Sequence, residues 1–246
     1  MRLAGKRAVV TGAGRGIGRQ VAVMFAAQGA EVLACDIDAG ALERLAGEVP
    51  GLRFHAADLT SEAGAAGLAG AALGAWGAVD ILVNAAAIVR FAWVPEMSLA
   101  DFHVTTKGEI DTVFLVTQAC WPLLAASGAA SVVNFSSANA HQALKGLPAI
   151  AHTAGKGAVL AMTRQMAMEG GALGIRANSI APGFTVTEET AQHLGGPLMD
   201  QVRAKIMVGR LGTTSDIGHL AVYLGSDESG YVTGADIRID GGATAW

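Results

Sequence analysis

Four glycines fall within seven positions, Gly12, Gly14, Gly16 and Gly18, directly after the apolar run Val9-Val10-Thr11. Downstream, Val21, Met24 and Phe25 share one helical face. A strand, a tight glycine turn and a helix follow from this pattern. Glycine at positions 12 and 16 permits positive φ and a close approach of ligand to backbone, and Gly18 lets the helix pack near the strand. Amides at the start of such a helix attract an anion, helped by the helix dipole. The expected anion is a pyrophosphate, cradled by Gly12, Arg15, Gly16, Ile17 and Gly18. Asp36 ends a second apolar run, Val32-Leu33-Ala34-Cys35, eighteen residues past Gly18. A carboxylate there accepts ribose hydroxyls and repels a 2′-phosphate. Arg15 argues the other way, since a basic side chain in the turn greets a phosphate; the balance favours NAD over NADP.

The elements that must position these residues alternate along the chain. Strands are predicted at 7–11, 31–36, 52–56, 79–84, 130–136, 175–180 and 235–239. Helices are predicted near 17–28, 39–47, 61–74, 98–126, 151–170 and 214–225. Such alternation builds a Rossmann-like, doubly wound parallel sheet of about seven strands, with helices on both faces and right-handed crossovers. No linker or low-complexity stretch divides residues 1–246, so one NAD-binding domain is expected. The segment 185–208 follows Pro182-Gly183, is more polar, and is expected to form a substrate lid.

Composition removes several function classes. A net charge of −4 does not suit nucleic acid or an anionic membrane. The chain is 52% apolar, yet no apolar run reaches the roughly 20 residues of a membrane helix. Met1 to Lys6 lead straight into the first strand without a signal-peptide apolar region. Cys35 and Cys120 lie in apolar segments and read as buried thiols of a reducing, cytoplasmic compartment. No metal-ligand spacing is present.

Further motifs carry a resemblance to a known family. These are Asp58-Leu59 after the third strand, Asp80-Ile81-Leu82-Val83-Asn84-Ala85-Ala86-Ala87 at the fourth, Asn178-Ser179-Ile180-Ala181-Pro182-Gly183 at the sixth, and Gly234 with Asp240-Gly241-Gly242 at the end. Over its whole length the chain resembles a single-domain short-chain dehydrogenase/reductase. The resemblance implies cofactor contacts from Asp58, Leu59, Asn84, Ala85, Ala86, Pro182, Gly183, Thr185 and Thr187, and a ribose contact from Lys156. It also implies a catalytic serine, tyrosine and lysine with an asparagine behind them. Ser137 and Lys156 take the serine and lysine places. The tyrosine place, four residues before Lys156, holds His152, and the asparagine place holds Glu109.

Imidazole, with a reference pKa of about 6.5, is a competent proton acceptor at neutral pH. On that reading the chain oxidises a secondary alcohol with His152 as base, a shorter reach than a phenol. Glu109 either pairs with Lys156 or belongs to a wet face with Lys107 and Asp111. Two alternatives stay open: an NAD-binding regulatory or structural protein that has lost catalysis, and an epimerase or lyase using NAD for transient oxidation. The pocket is expected from Arg90, Phe91 and Trp93, from 139–144 and from the lid, with Arg90 available for a carboxylate. His141, in the loop after Ser137, reads as a surface residue. The resemblance further implies a homotetramer or homodimer built on the helices at 98–126 and 151–170 and on the last strand.

Overall fold

A computed structural model describes residues 1–246, the side chain of His193 excepted. Seven strands form one parallel sheet: β1 (Arg7–Thr11), β2 (Glu31–Asp36), β3 (Arg53–Ala56), β4 (Ile81–Asn84), β5 (Ala130–Phe135), β6 (Ile175–Pro182) and, last in the chain, β9 (Asp236–Ile239). Their spatial order is β3-β2-β1-β4-β5-β6-β9. The order reverses between β1 and β4, where open parallel sheets bind ligands at the carboxyl ends of their strands.

The sheet is apolar on both faces, and side-chain alternation sorts the core into two layers. Ala8, Val10, Val32, Ala34, Ile81 and Val83 point to one side. There they meet Val21 and Phe25 of α1 (Gly16–Ala27), Leu42 and Leu45 of α2 (Ala39–Glu48), and Ile217 and Ala221 of α8 (Thr214–Gly225). Val9, Leu33, Cys35, Leu82 and Val132 point to the other. There they meet Leu68 and Ala72 of α3 (Glu62–Trp76), Val116, Cys120 and Leu124 of α5 (Thr112–Ser127), and Val159 and Met166 of α6 (Ile150–Gly170). Burial pushes the thiols of Cys35 and Cys120 up to about 12, which leaves both unreactive.

The helix expected at 98–126 is not one regular helix. It begins as α4 (Leu99–Thr106), passes through a π-helical turn at Lys107–Asp111, and continues as α5. In that turn the Thr112 amide donates to the Lys107 carbonyl, five residues back, so one extra residue is accommodated. The whole run Leu99–Ser127 is long and apolar enough to cross a membrane by length and composition. Here it lies on the sheet, with Val113, Val116, Cys120 and Leu124 at most 3% exposed. The segment 185–208, expected as a lid, begins with β7 (Thr185–Val186), which pairs with β8 (Gly212–Thr213) beyond its end, and contains a helix α7 (Pro197–Lys205) started by Pro197 at its first turn.

Asp80 fastens the amino ends of three strands. Its carboxylate accepts from the Arg7 amide at 2.8 Å, from Arg7 Nε at 2.7 Å and Nη2 at 2.8 Å, and from Ser127 Oγ at 2.6 Å. Burial works to raise its pKa, but the donors from Arg7 and Ser127 outweigh it and hold Asp80 at about 2. A carboxylate held below its unfolded value stabilises the fold fully above the unfolded pKa and loses that contribution as pH falls towards the folded one. We expect Asp80→Asn to cost about 2 kcal/mol at neutral pH, the scale of charge-assisted hydrogen bonds. The gap from the parent should narrow as the pH falls from 4 towards 2, read as urea midpoints at an unchanged slope.

Candidate active site and dinucleotide cleft

The glycine turn links β1 to α1 at the switch point. Gly12 has φ +64°, and a Cβ on it would lie 2.8 Å from the backbone of Ala85; a Cβ on Gly18 would run into the Gly12 carbonyl. Only glycine fits both places. Thr11 Oγ1 donates to the Val83 carbonyl at 3.2 Å and accepts from the amides of Ala85 and Ala86 at 3.0 and 3.2 Å, which sets the floor of the cleft. The first turn of α1 receives no side-chain cap, so its amides remain available to an anion.

A cavity of about 320 Å³ runs from this turn. It is lined by Gly12, Arg15, Gly16, Ile17, Gly18, Asp36, Asp58, Leu59, Ala85, Ala86 and Thr187, all of them expected cofactor residues. Asp36 accepts from the Gly14 amide at 2.9 Å and the Asp38 amide at 3.1 Å, and its carboxylate faces the cavity. Asp58 accepts from Thr60 Oγ1 at 2.7 Å and the Thr60 amide at 2.9 Å, and these bonds lower its pKa. An elongated ligand with a pyrophosphate at the turn and a ribose near Asp36 fits this donor and acceptor set.

Five expected cofactor residues sit elsewhere, Lys156 among them, in the cluster described below. Asn84 is buried, and its amide donates to Thr117 Oγ1 at 3.0 Å and Asn134 Oδ1 at 2.8 Å, bracing β4, β5 and α5. Thr185 is buried and donates to the Gly183 carbonyl at 3.1 Å. Pro182 and Gly183 line a neighbouring cavity of about 170 Å³ together with Ser137. Arg15 lines the cleft but is exposed, with Glu189 3.8 Å away, so an acid already faces its charge.

The titratable cluster forms where α6 meets the π-helical turn. His152 and Lys156 lie one turn apart on α6. His152 Nδ1 donates to Glu109 Oε1 at 2.7 Å, and Lys156 Nζ stands 3.7 Å from the same oxygen. Glu109 is 0% exposed, whereas Lys107 and Asp111 are exposed. The wet-face reading of Glu109 is therefore overturned. Helix geometry supplies the reason: residues two apart point to opposite sides, so Glu109 turns inward where Lys107 and Asp111 turn out, and Gly108 beside it is buried with room for no side chain because a Cβ would lie 2.6 Å from Ile88. Lys156 also donates to the Phe135 carbonyl at 3.0 Å, two residues before Ser137. Burial lowers the Lys156 pKa, while the charge of Glu109 and its hydrogen bond work to raise it. Ser137 Oγ accepts from the Asn139 amide at 3.1 Å, which fixes the start of the following loop.

Sequence reasoning missed three features here. Phe91 packs against the His152 ring, with centroids 5.9 Å apart. Arg90 turns back to its neighbour, donating to the Val89 carbonyl at 3.1 Å, and lines neither cavity. His141 is tied down rather than free: Nε2 lies 2.6 Å from Asp236 Oδ2, and Asp236 also accepts from Ser136 Oγ at 2.5 Å and from Ser179. The loop after Ser137 is thereby moored to β9.

A Rossmann-type cleft stands beside a part-buried histidine and a buried glutamate and lysine, a candidate active site on a doubly wound fold. The profile of the family described as enoyl-(acyl carrier protein) reductase matches residues 12–244. The chain is 36% identical to a D-threitol dehydrogenase of Mycolicibacterium smegmatis, covering 99% of this chain and 94% of that one. It is 37% identical to a galactitol 2-dehydrogenase (L-tagatose-forming) of Cereibacter sphaeroides, covering 100% and 97%. A short-chain type dehydrogenase/reductase from Mycobacterium marinum superposes with a TM-score of 0.92 at 32% identity, covering 99% and 97%. The chain belongs to the short-chain dehydrogenase/reductase family. Relatives in that family include dehydrogenases named for the polyols threitol and galactitol.

Glu109 packs directly on the α-carbon of Gly155, where a Cβ would run into Oε2; no side-chain atom approaches Gly157 within 4 Å. Alanine in a helix is ordinarily worth up to about 1 kcal/mol over glycine. We expect Gly157→Ala to raise stability by about 0.5–1 kcal/mol and Gly155→Ala to lower it by about 1–3 kcal/mol through overpacking. Paired denaturant titrations give the two signs.

Proposed function

We propose that the protein is an NAD-dependent dehydrogenase of a secondary alcohol in which His152 takes the proton usually handled by a tyrosine. The hydrogen bond from His152 Nδ1 to the buried Glu109 carries this reading. With Nδ1–H donated to a carboxylate, the neutral ring keeps its lone pair on Nε2, free to accept the proton of the alcohol. Glu109 orients the ring and stabilises the imidazolium that forms, the role of a carboxylate behind a catalytic histidine. Ser137 holds the substrate oxygen by hydrogen bonding. Lys156, fixed between the Phe135 carbonyl and Glu109, contributes positive charge that favours proton loss from the alcohol and a donor for the nicotinamide ribose. NAD, when bound, supplies the acceptor for the hydride leaving the carbinol carbon. The cleft residues from Gly12 to Thr187 hold it, with Asp36 at the adenosine ribose selecting against a 2′-phosphate.

A non-catalytic NAD-binding protein would have no need of a fully buried glutamate aimed at the residue that replaced the tyrosine. The polyol relatives support a chiral secondary alcohol as substrate, and oxidation as the working direction suits a neutral imidazole. The outer faces of α5 and α6 leave an apolar cavity of about 440 Å³ around Phe114, Trp121, Pro122 and Met162, which suits burial between copies in a homodimer or homotetramer. Two inert buried thiols suit a soluble protein of the cytoplasm.

Two measurements test the reading. His152→Ala should lower kcat by ~10²–10⁴ with NAD affinity little changed, and Glu109→Gln, which keeps an acceptor but removes the charge, should fall between the two. Equal turnover in His152→Ala would remove histidine from the mechanism. By titration calorimetry NAD should bind more tightly than NADP, and Asp36→Ala should erase the preference; tighter binding of NADP by the parent would reverse the cofactor assignment.

A further inference from the structure

The 170 Å³ cavity beside Ser137 contains one charged side chain among its described lining residues, Lys205. The walls around it are mostly apolar, with Leu144, Leu147, Phe184, Val202 and Ile206. Lys205 Nζ donates to Gln142 Oε1 at 3.2 Å, and no described carboxylate oxygen stands within 4 Å of it. Its positive charge is therefore met only by a neutral amide. Gln142 is held in that orientation, since its Nε2 donates to the Ala243 carbonyl at 3.4 Å. The end of α7 is held as well: Trp246 Nε1 donates to the Lys205 carbonyl at 3.0 Å. A favourable place in the last turn of a helix does not explain Lys205, because Arg203 shares that turn and points to solvent while Lys205 is half-buried in the cavity wall.

An ammonium in an apolar pocket without a counter-ion is a recognition element for an anion. We propose that Lys205 and Gln142 form the acid subsite of this enzyme, so that its substrate is a hydroxy acid: a secondary alcohol whose carboxylate pairs with Lys205 while its hydroxyl lies at Ser137. One ammonium in an apolar surround balances a monoanion, which favours a carboxylate over a phosphate dianion. This inference rests on the dehydrogenase reading above and assigns to Lys205 the carboxylate contact that Arg90 does not make.

The test is titration calorimetry on the intact protein with NAD present. The probes are 2-, 3- and 4-hydroxy acids of four to six carbons, the methyl ester of each, and inorganic phosphate. At least one acid should bind, its ester should bind at least tenfold more weakly, and Lys205→Met should weaken the acid roughly ten- to a hundredfold, the range of a lost charge-assisted hydrogen bond. Lys205→Arg should retain binding. Gln142→Glu, which leaves Lys205 in place but gives it an internal counter-ion, should weaken the acid as Lys205→Met does. Failure of every acid to bind, equal binding of acid and ester, acid binding unchanged in Lys205→Met, or tighter binding of phosphate than of every acid would each overturn the proposal. NADH formation is followed in the same samples. Acid binding that depends on Lys205 without NADH formation would sink the dehydrogenase reading and leave the subsite standing. Oxidation of neutral alcohols with no acid bound would do the reverse.

Discussion

The placement of a carboxylate at Glu109 in a site that admits no water contact of its own surface constrains everything around it. Removing a charge from water costs several kcal/mol after relaxation, and an ion pair near 4 Å in an effective dielectric of about 20 returns roughly 4 kcal/mol. Lys156 alone, at 3.7 Å, leaves such a balance near zero. The short bond from His152 supplies the hydrogen-bond donor that the ion pair lacks, and the backbone then has to bring two helices to within contact. Gly155 is the contact point on α6, because any side chain there would collide with Glu109, and Gly108 is its counterpart on the other segment, backed against Ile88. The π-helical turn is the geometric device that reconciles these demands with the regular helices on each side.

The two halves of the site obey different logics. The dinucleotide half is built of backbone: glycines, a hydroxyl at Thr11 and an uncapped helix start, with the Asp36 side chain at its far end. The other half is built of coupled side chains, His152 and Lys156 of α6 against Glu109 of the π-helical turn, so each depends on the others. The glutamate fixes the imidazole through Nδ1 and leaves Nε2 facing away from it.

This division explains what was legible in the amino-acid sequence. Strands and cleft were readable because their determinants are local: β-branched runs, glycines at fixed offsets, and an acid at a strand end. The parallel sheet followed from the alternation of elements, whereas the strand order was seen only in the structure. The wet-face reading of Glu109 failed on helix geometry: residues two apart point to opposite sides, so Glu109 does not share a face with Lys107 and Asp111, while the π-helical turn itself leaves no compositional mark beyond Gly108. Lys205 was hidden for another reason. It ends α7, and its meeting with Gln142 joins residues 63 apart in the chain. Asn84 was assigned to the cofactor by resemblance, but its buried amide serves the packing of β4 on β5, a role that motif matching does not separate from ligand contact.

The helices that carry the cluster also carry an apolar groove of about 440 Å³. Phe114 and Trp121 of α5 and Met162 of α6 face outward, while Glu109, just before α5, and His152 and Lys156, in the first turns of α6, face the site. Packed interiors transmit displacement because they have little free volume. A copy of the chain seated on the outer groove would therefore restrain the relative placement of α5 and α6, and with it the separation of Glu109 from His152. Assembly and catalysis would then share one mechanical element, the α5–α6 pair.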